Sequence, residues 1–99
     1  MVEENVKNKA TDEGLKNRKE LIYLMKKGEE NLRKMNPEER PFKHLTQNQV
    51  AILLSDKRQC TLRAVQYWLA DPNSNSYRNC KKWVPSLLKE KLSELNLIE

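Results

Sequence analysis

Thr61, Arg63, Gln66 and Tyr67 fall within one short stretch of the chain, and their side chains share a chemistry. Arginine suits guanine and glutamine suits adenine, each through paired hydrogen bonds at base edges in the DNA major groove. Thr61 and Tyr67 have the reach for phosphate or a thymine methyl. These four residues are the expected base-contacting set. Around them, Gln47, Gln49, Lys57, Arg58, Ser76, Arg78, Lys81 and Lys82 supply amides, a hydroxyl and cations. Groups of that kind contact the sugar-phosphate backbone and set register without choosing sequence.

The distribution of charge points the same way. The chain carries a formal net charge of +5. Between Lys57 and Lys82 stand six basic residues and one acidic residue, Asp71, so this segment alone accounts for the whole +5. Clustering of one sign on one element is the footprint of a polyanionic partner.

Other chemistries find little support. A cysteine nucleophile needs a nearby base, and the lone histidine, His44, falls on an expected loop. Cys60 and Cys80 lie 16 and 36 residues beyond His44 with no paired ligand motif, so no metal site is expected. With only Gly14 and Gly28, the chain has no glycine loop to cradle phosphate. Glu29-Glu30 and Glu38-Glu39 read as solvated faces. The expectation is a binding protein, not an enzyme, with no cofactor and no evident small-molecule substrate.

Some element must hold Arg63 and Gln66 outward. Leu62, Val65, Trp68 and Leu69 recur at i, i+3, i+6 and i+7, which predicts a helix from about Thr61 to Ala70 with that stripe inward. Before it, Thr46 is suited to cap a helix carrying Val50, Ala51, Leu53 and Leu54 on one side. The pair reads as a helix-turn-helix. Its turn is long: Ala51 and Cys60 are nine positions apart, against about five in a compact helix-turn-helix. The added Asp56, Lys57, Arg58 and Gln59 are polar, and either extend a helix or form a loop.

The rest of the chain supplies packing. A helix is expected from about Asp12, with Leu15, Leu21, Ile22, Leu24 and Met25 on its apolar side. The pairs Glu29–Arg33 and Glu30–Lys34 favour its continuation through Gly28 to about Met35. Pro37 and Pro41 stop it, and Phe42 is expected to fold back onto the core. Trp83 and Val84 read as core. Pro85 suits the first turn of a last helix bearing Leu87, Leu88, Leu92 and Leu95. Leu97 and Ile98 add more apolar surface than one small domain needs, so Leu92, Leu95, Leu97 and Ile98 are the expected dimer contact.

With 99 residues, 37% of them apolar and 33% charged, the chain can bury one modest core. Residues 1–11 mix Lys, Asn and Glu and read as a frayed end, leaving 12–99 as a single helical domain. No apolar run approaches the roughly 20 residues of a membrane span, and no secretory signal is evident. Reduced thiols in a cytoplasmic protein follow as the expectation.

Ala51-Ile52-Leu53-Leu54, followed by Cys60-Thr61-Leu62-Arg63-Ala64-Val65-Gln66-Tyr67-Trp68, resembles the helix-turn-helix of Cro/cI-like regulators of phages and mobile elements. Val65 and Trp68 match the aliphatic and aromatic residues that bury that family's recognition helix, and Thr46-Gln47 matches the start of its first helix. Tyr67-Trp68-Leu69, a polar loop, Tyr77-Arg78 and a closing Leu-rich helix look like the anti-CRISPR-associated autoregulators in particular. Ser55 stands where a glycine is common. The resemblance spans about residues 44–95 and implies self-repression of an operon.

The expected fold is therefore all-α, a bundle of four to five helices containing a helix-turn-helix. The expected function is a dimeric regulator of transcription that binds an inverted repeat in double-stranded DNA, its two reading helices about 34 Å apart. The competing reading is a phage or plasmid protein–protein module that offers Tyr67, Tyr77 and the basic patch to an acidic surface. RNA is disfavoured, because six aromatics form no stacking platform.

Overall fold

Hydroxyl caps mark where the first three helices begin. Thr11 Oγ1 accepts the Gly14 N–H at 2.9 Å and opens α1, Asp12–Lys34. Thr46 Oγ1 accepts from Gln49 at 3.1 Å to open α2, Gln47–Leu54. Thr61 Oγ1 accepts from Ala64 at 3.1 Å to open α3, Leu62–Leu69. A fourth helix, α4, spans Trp83–Glu94 without a side-chain cap, with Pro85 in its first turn. These bounds come from a computed structural model in which residues 10–98 are described. Apart from one 3₁₀ turn at Pro37–Glu39, the remainder is turn and coil, and no strand occurs among the described residues. The fold is all-α.

α1 runs through Gly28 unbroken because the glycine is a point of close approach, not a stop. A Cβ there would lie 2.7 Å from Leu45 Cδ2 and 3.2 Å from Leu92 Cδ1. Leu21, Leu24 and Leu32 repeat at helical spacing along this buried side and pack on α4. Asn17, also buried, donates from Nδ2 to the Cys80 carbonyl at 2.9 Å, which fastens α1 to the segment leading into α4. Phe42 packs against the core from the connection to α2.

The frayed end expected for residues 1–11 falls mostly outside the described residues. Thr11 is ordered: it caps α1, and its N–H donates to Asn79 Oδ1 at 3.0 Å.

α2 and α3 pack against each other across residues 55–61, and α2 also packs on α4. Val50, Ala51 and Leu54 face in from α2, and Val65 and Trp68 from α3. Each of the valines and Leu54, fully removed from water, stabilises by about 1.5–3 kcal/mol. Leu62 departs from the expected stripe and is 37% exposed. Cys60, at the end of the long connection, packs against the core.

The C-terminus corrects a second expectation. Asn96 adopts φ 61°, the left-handed conformation that asparagine tolerates. Leu97 N–H then donates to the Leu92 carbonyl at 2.8 Å and Asn96 N–H to that of Ser93 at 3.0 Å. This is a Schellman motif, which brings Leu97 back against the helix it follows. Leu92 and Leu97 are both 0% exposed within the single chain, and Leu95 and Ile98 are half-buried against the same core. The apolar tail completes this chain's own core, so Leu92 and Leu97 offer no surface to a second copy.

Candidate nucleic-acid interface

α3 is short enough that its two faces are easily assigned. Val65 and Trp68 turn inward, at 0% and 8% exposure. Trp68 meets Trp83 of α4 edge to face, centroids 5.9 Å apart and planes at 89°. On the outer side Arg63 and Gln66 lie one turn apart and are exposed. Neither side chain has a hydrogen-bond or ion-pair partner among the described residues. Leu62 extends this outer face, and the expectation of a buried stripe concealed it.

The far end of α3 is tied down by two arginines. Arg18 of α1 donates to the Leu69 carbonyl at 3.4 Å, and the Arg78 N–H donates to that of Tyr67 at 3.1 Å. Cations and donors at this position satisfy the last carbonyls of a helix. The Arg78 guanidinium also lies 5.2 Å from the centroid of the Tyr67 ring and donates to the Asn75 and Tyr77 carbonyls. Tyr67, half-buried, and Arg78 thus form one unit beside Gln66. The intervening loop is held by an Asx turn in which Asp71 accepts the Asn73 N–H at 2.9 Å, leaving Ser76 exposed.

Thr61 is exposed, but its hydroxyl oxygen is engaged in the cap, so as a reader of bases it has only its O–H and methyl free. Gln47 is exposed at the start of α2, and Gln49 half-buried two residues on.

The other cations do not gather on this face. Residues 55–61 form a loop of turns pinned to α4: Lys91 pairs with Asp56, Lys57 with Glu90 at 3.4 Å, and the Arg58 guanidinium lies 4.4 Å from the Trp83 ring centroid. Lys91 beside it holds the Asp56 carboxyl below its usual range. Ser55 Oγ closes the loop by bridging the carbonyls of Ala51 and Cys60 at 2.8 and 2.7 Å. Lys57 and Arg58 of this loop thus lean on α4, through an exposed ion pair and a cation–ring contact. Lys81 and Lys82 are exposed at the start of α4, where Lys82 borders a cleft with Asp12, Glu13 and Lys16 of α1.

Tyr77, which the competing reading placed outward, is 1% exposed, so it is not available to a protein surface. Burial raises the Cys60 thiol and pushes Cys80 up to about 12, which keeps both protonated at neutral pH. No group of three potential metal-ligating side chains occurs among the described residues, and no helix there is long and apolar enough to cross a membrane.

What this face can do is hydrogen-bond through Arg63 and Gln66 to an external polar edge, flanked by Thr61, Leu62 and the Tyr67–Arg78 unit. No protein-family model, curated protein or solved structure matches the chain, so the reading of this face rests on its own geometry and chemistry.

Proposed function

We propose that the protein binds double-stranded DNA sequence-specifically, with α2 and α3 acting as a helix-turn-helix and α3 entering the major groove. The observation that carries this reading is the division of α3: Val65 and Trp68 are buried, while Arg63 and Gln66 stand outward and uncommitted. Those two side chains form the paired hydrogen bonds that distinguish guanine and adenine in that groove. Lys81 and Lys82, at the uncapped positive end of α4, suit phosphate. Two copies on an inverted repeat would place their α3 helices one DNA turn apart, about 34 Å. Occupancy of a promoter by such a pair represses it, in keeping with the autoregulator resemblance.

Selection of bound fragments from random duplex DNA tests this directly. A palindromic consensus is expected, and Arg63→Ala then weakens binding by about 1–3 kcal/mol and relaxes the preference at one base pair per half-site. Absence of an enriched sequence, together with unchanged affinity in Arg63→Ala and Gln66→Ala, would overturn the proposal.

A further inference from the structure

Four large apolar side chains stay exposed among the described residues: Ile22 (40%) and Tyr23 (60%) on α1, Ile52 (54%) on α2 and Leu62 (37%) on α3. The last two belong to the helices of the proposed DNA contact. The first two do not, and Tyr23 borders a groove of about 550 Å³ between α1 and the C-terminal part of the chain.

One wall of the groove is a helical stripe: Glu20, Tyr23, Lys27, Asn31 and Lys34. From residue 20 to residue 34 that stripe extends about 21 Å, four turns of helix. Leu24 and Ile98 supply apolar lining, and Lys89 of α4 contributes a further cation. Three lysines thus face one glutamate. Lys27 reaches Glu30 at 4.0 Å, whereas Lys34 and Lys89 have no carboxylate partner among the described residues.

Charge and shape together select the occupant. We propose that this groove docks an acidic amphipathic helix from a partner protein. Its apolar residues would cover Tyr23 and the exposed part of Ile98, and its carboxylates would meet Lys34 and Lys89, the helix-in-groove mode of recognition. A second copy presenting the same groove would set lysine against lysine. A nucleic-acid backbone would meet the cations but leave the apolar lining uncovered. The proposal is independent of the DNA reading, since it uses none of the residues of the α3 face.

The test uses the full chain and two labelled peptides of about 16 residues, enough for four turns. One has leucines at i, i+3, i+4 and i+7 flanked by glutamates; the other is a scramble of the same composition. The patterned peptide is expected to bind about tenfold or more tightly than the scramble. Amide resonances of Tyr23, Lys27, Lys34 and Ile98 should shift. Lys34→Glu combined with Lys89→Glu, and separately Tyr23→Ala, should each weaken binding by about tenfold, while Arg63→Ala leaves it unchanged. All four substituted side chains are exposed, so every variant is expected to keep its helical content; only Lys34→Glu, in the last turn of α1, should lower the melting temperature slightly. Equal binding of the two peptides, or indifference to the lysine reversal, would overturn the proposal. So would groove resonances that move with protein concentration alone, which assign the surface to a second copy, or with duplex DNA alone.

Discussion

Glu29 accepts the Leu45 N–H at 2.8 Å, faces His44 Nδ1 at 3.0 Å and reaches Arg33 at 3.3 Å. One carboxylate thus joins the middle of α1 to the residues that lead into α2. The Leu45 hydrogen bond is the main cause that holds its pKa below the usual glutamate value, with His44 and Arg33 adding to it against a smaller desolvation effect. The direction fixes the pH dependence. A carboxyl depressed in the folded state adds stability above its unfolded pKa and loses it as pH falls through the folded one. Glu29→Gln should therefore cost about 1–2 kcal/mol at neutral pH. The gap from wild type should close as pH falls below the ordinary glutamate range. Urea unfolding at neutral and acidic pH measures both. A difference between the proteins that does not change with pH would mean that Glu29 acts only by packing.

At the scale of elements, three positions separate what the chain's pattern reveals from what only its packing decides. The cap at Thr46, the start of α3 near Thr61, the stop at Pro37 and the Val65–Trp68 face of α3 were legible because each depends on neighbours within one helical turn. Leu62, Tyr77 and Leu97 were not, since their burial depends on where distant segments lie. Leu62 has the right spacing for the core, yet it stays on the outer side of α3. Leu97 looked surplus until Asn96 turned it inward, and the Asn-Leu pair after a helix was a signal available in the sequence. At φ 61° a β-branched residue is strained. Asn96→Val should accordingly lower stability by about 1–2 kcal/mol, whereas Asn96→Gly should be neutral or better. Equal melting temperatures for the two variants would show that the left-handed turn is dispensable. Gly28 sets a similar contest. Alanine gains about 1 kcal/mol over glycine inside a helix, but its Cβ would press on Leu45 and Leu92, both buried. Repacking buried side chains around an added methyl costs about 1–3 kcal/mol, so Gly28→Ala should lower the melting temperature. A rise would show that the leucines yield freely.

Across the whole molecule, the excess positive charge is local in sequence but dispersed in space. Lys57 is spent on Glu90 and Arg58 on Trp83, Arg78 stacks over Tyr67, and only Lys81 and Lys82 stand where α4 presents its positive end. Duplex DNA releases counterions for each phosphate a cation neutralises, which lowers the slope of log affinity against log salt by about 0.9 per contact. On the proposed reading, Lys81→Ala should weaken every duplex alike and reduce that slope by about 0.9. Lys57→Ala should change the slope less than Lys81→Ala, because its ammonium faces Glu90 of α4. Arg58→Ala should do the same, though it should alter Trp83 fluorescence as the cation leaves the ring. The opposite ranking, with Lys57 and Arg58 setting the slope and Lys81 silent, would place the DNA against the 55–61 connection and α4. Arg63 and Gln66 would then be left facing solvent, and the assignment of α3 as the reading helix would fall with them.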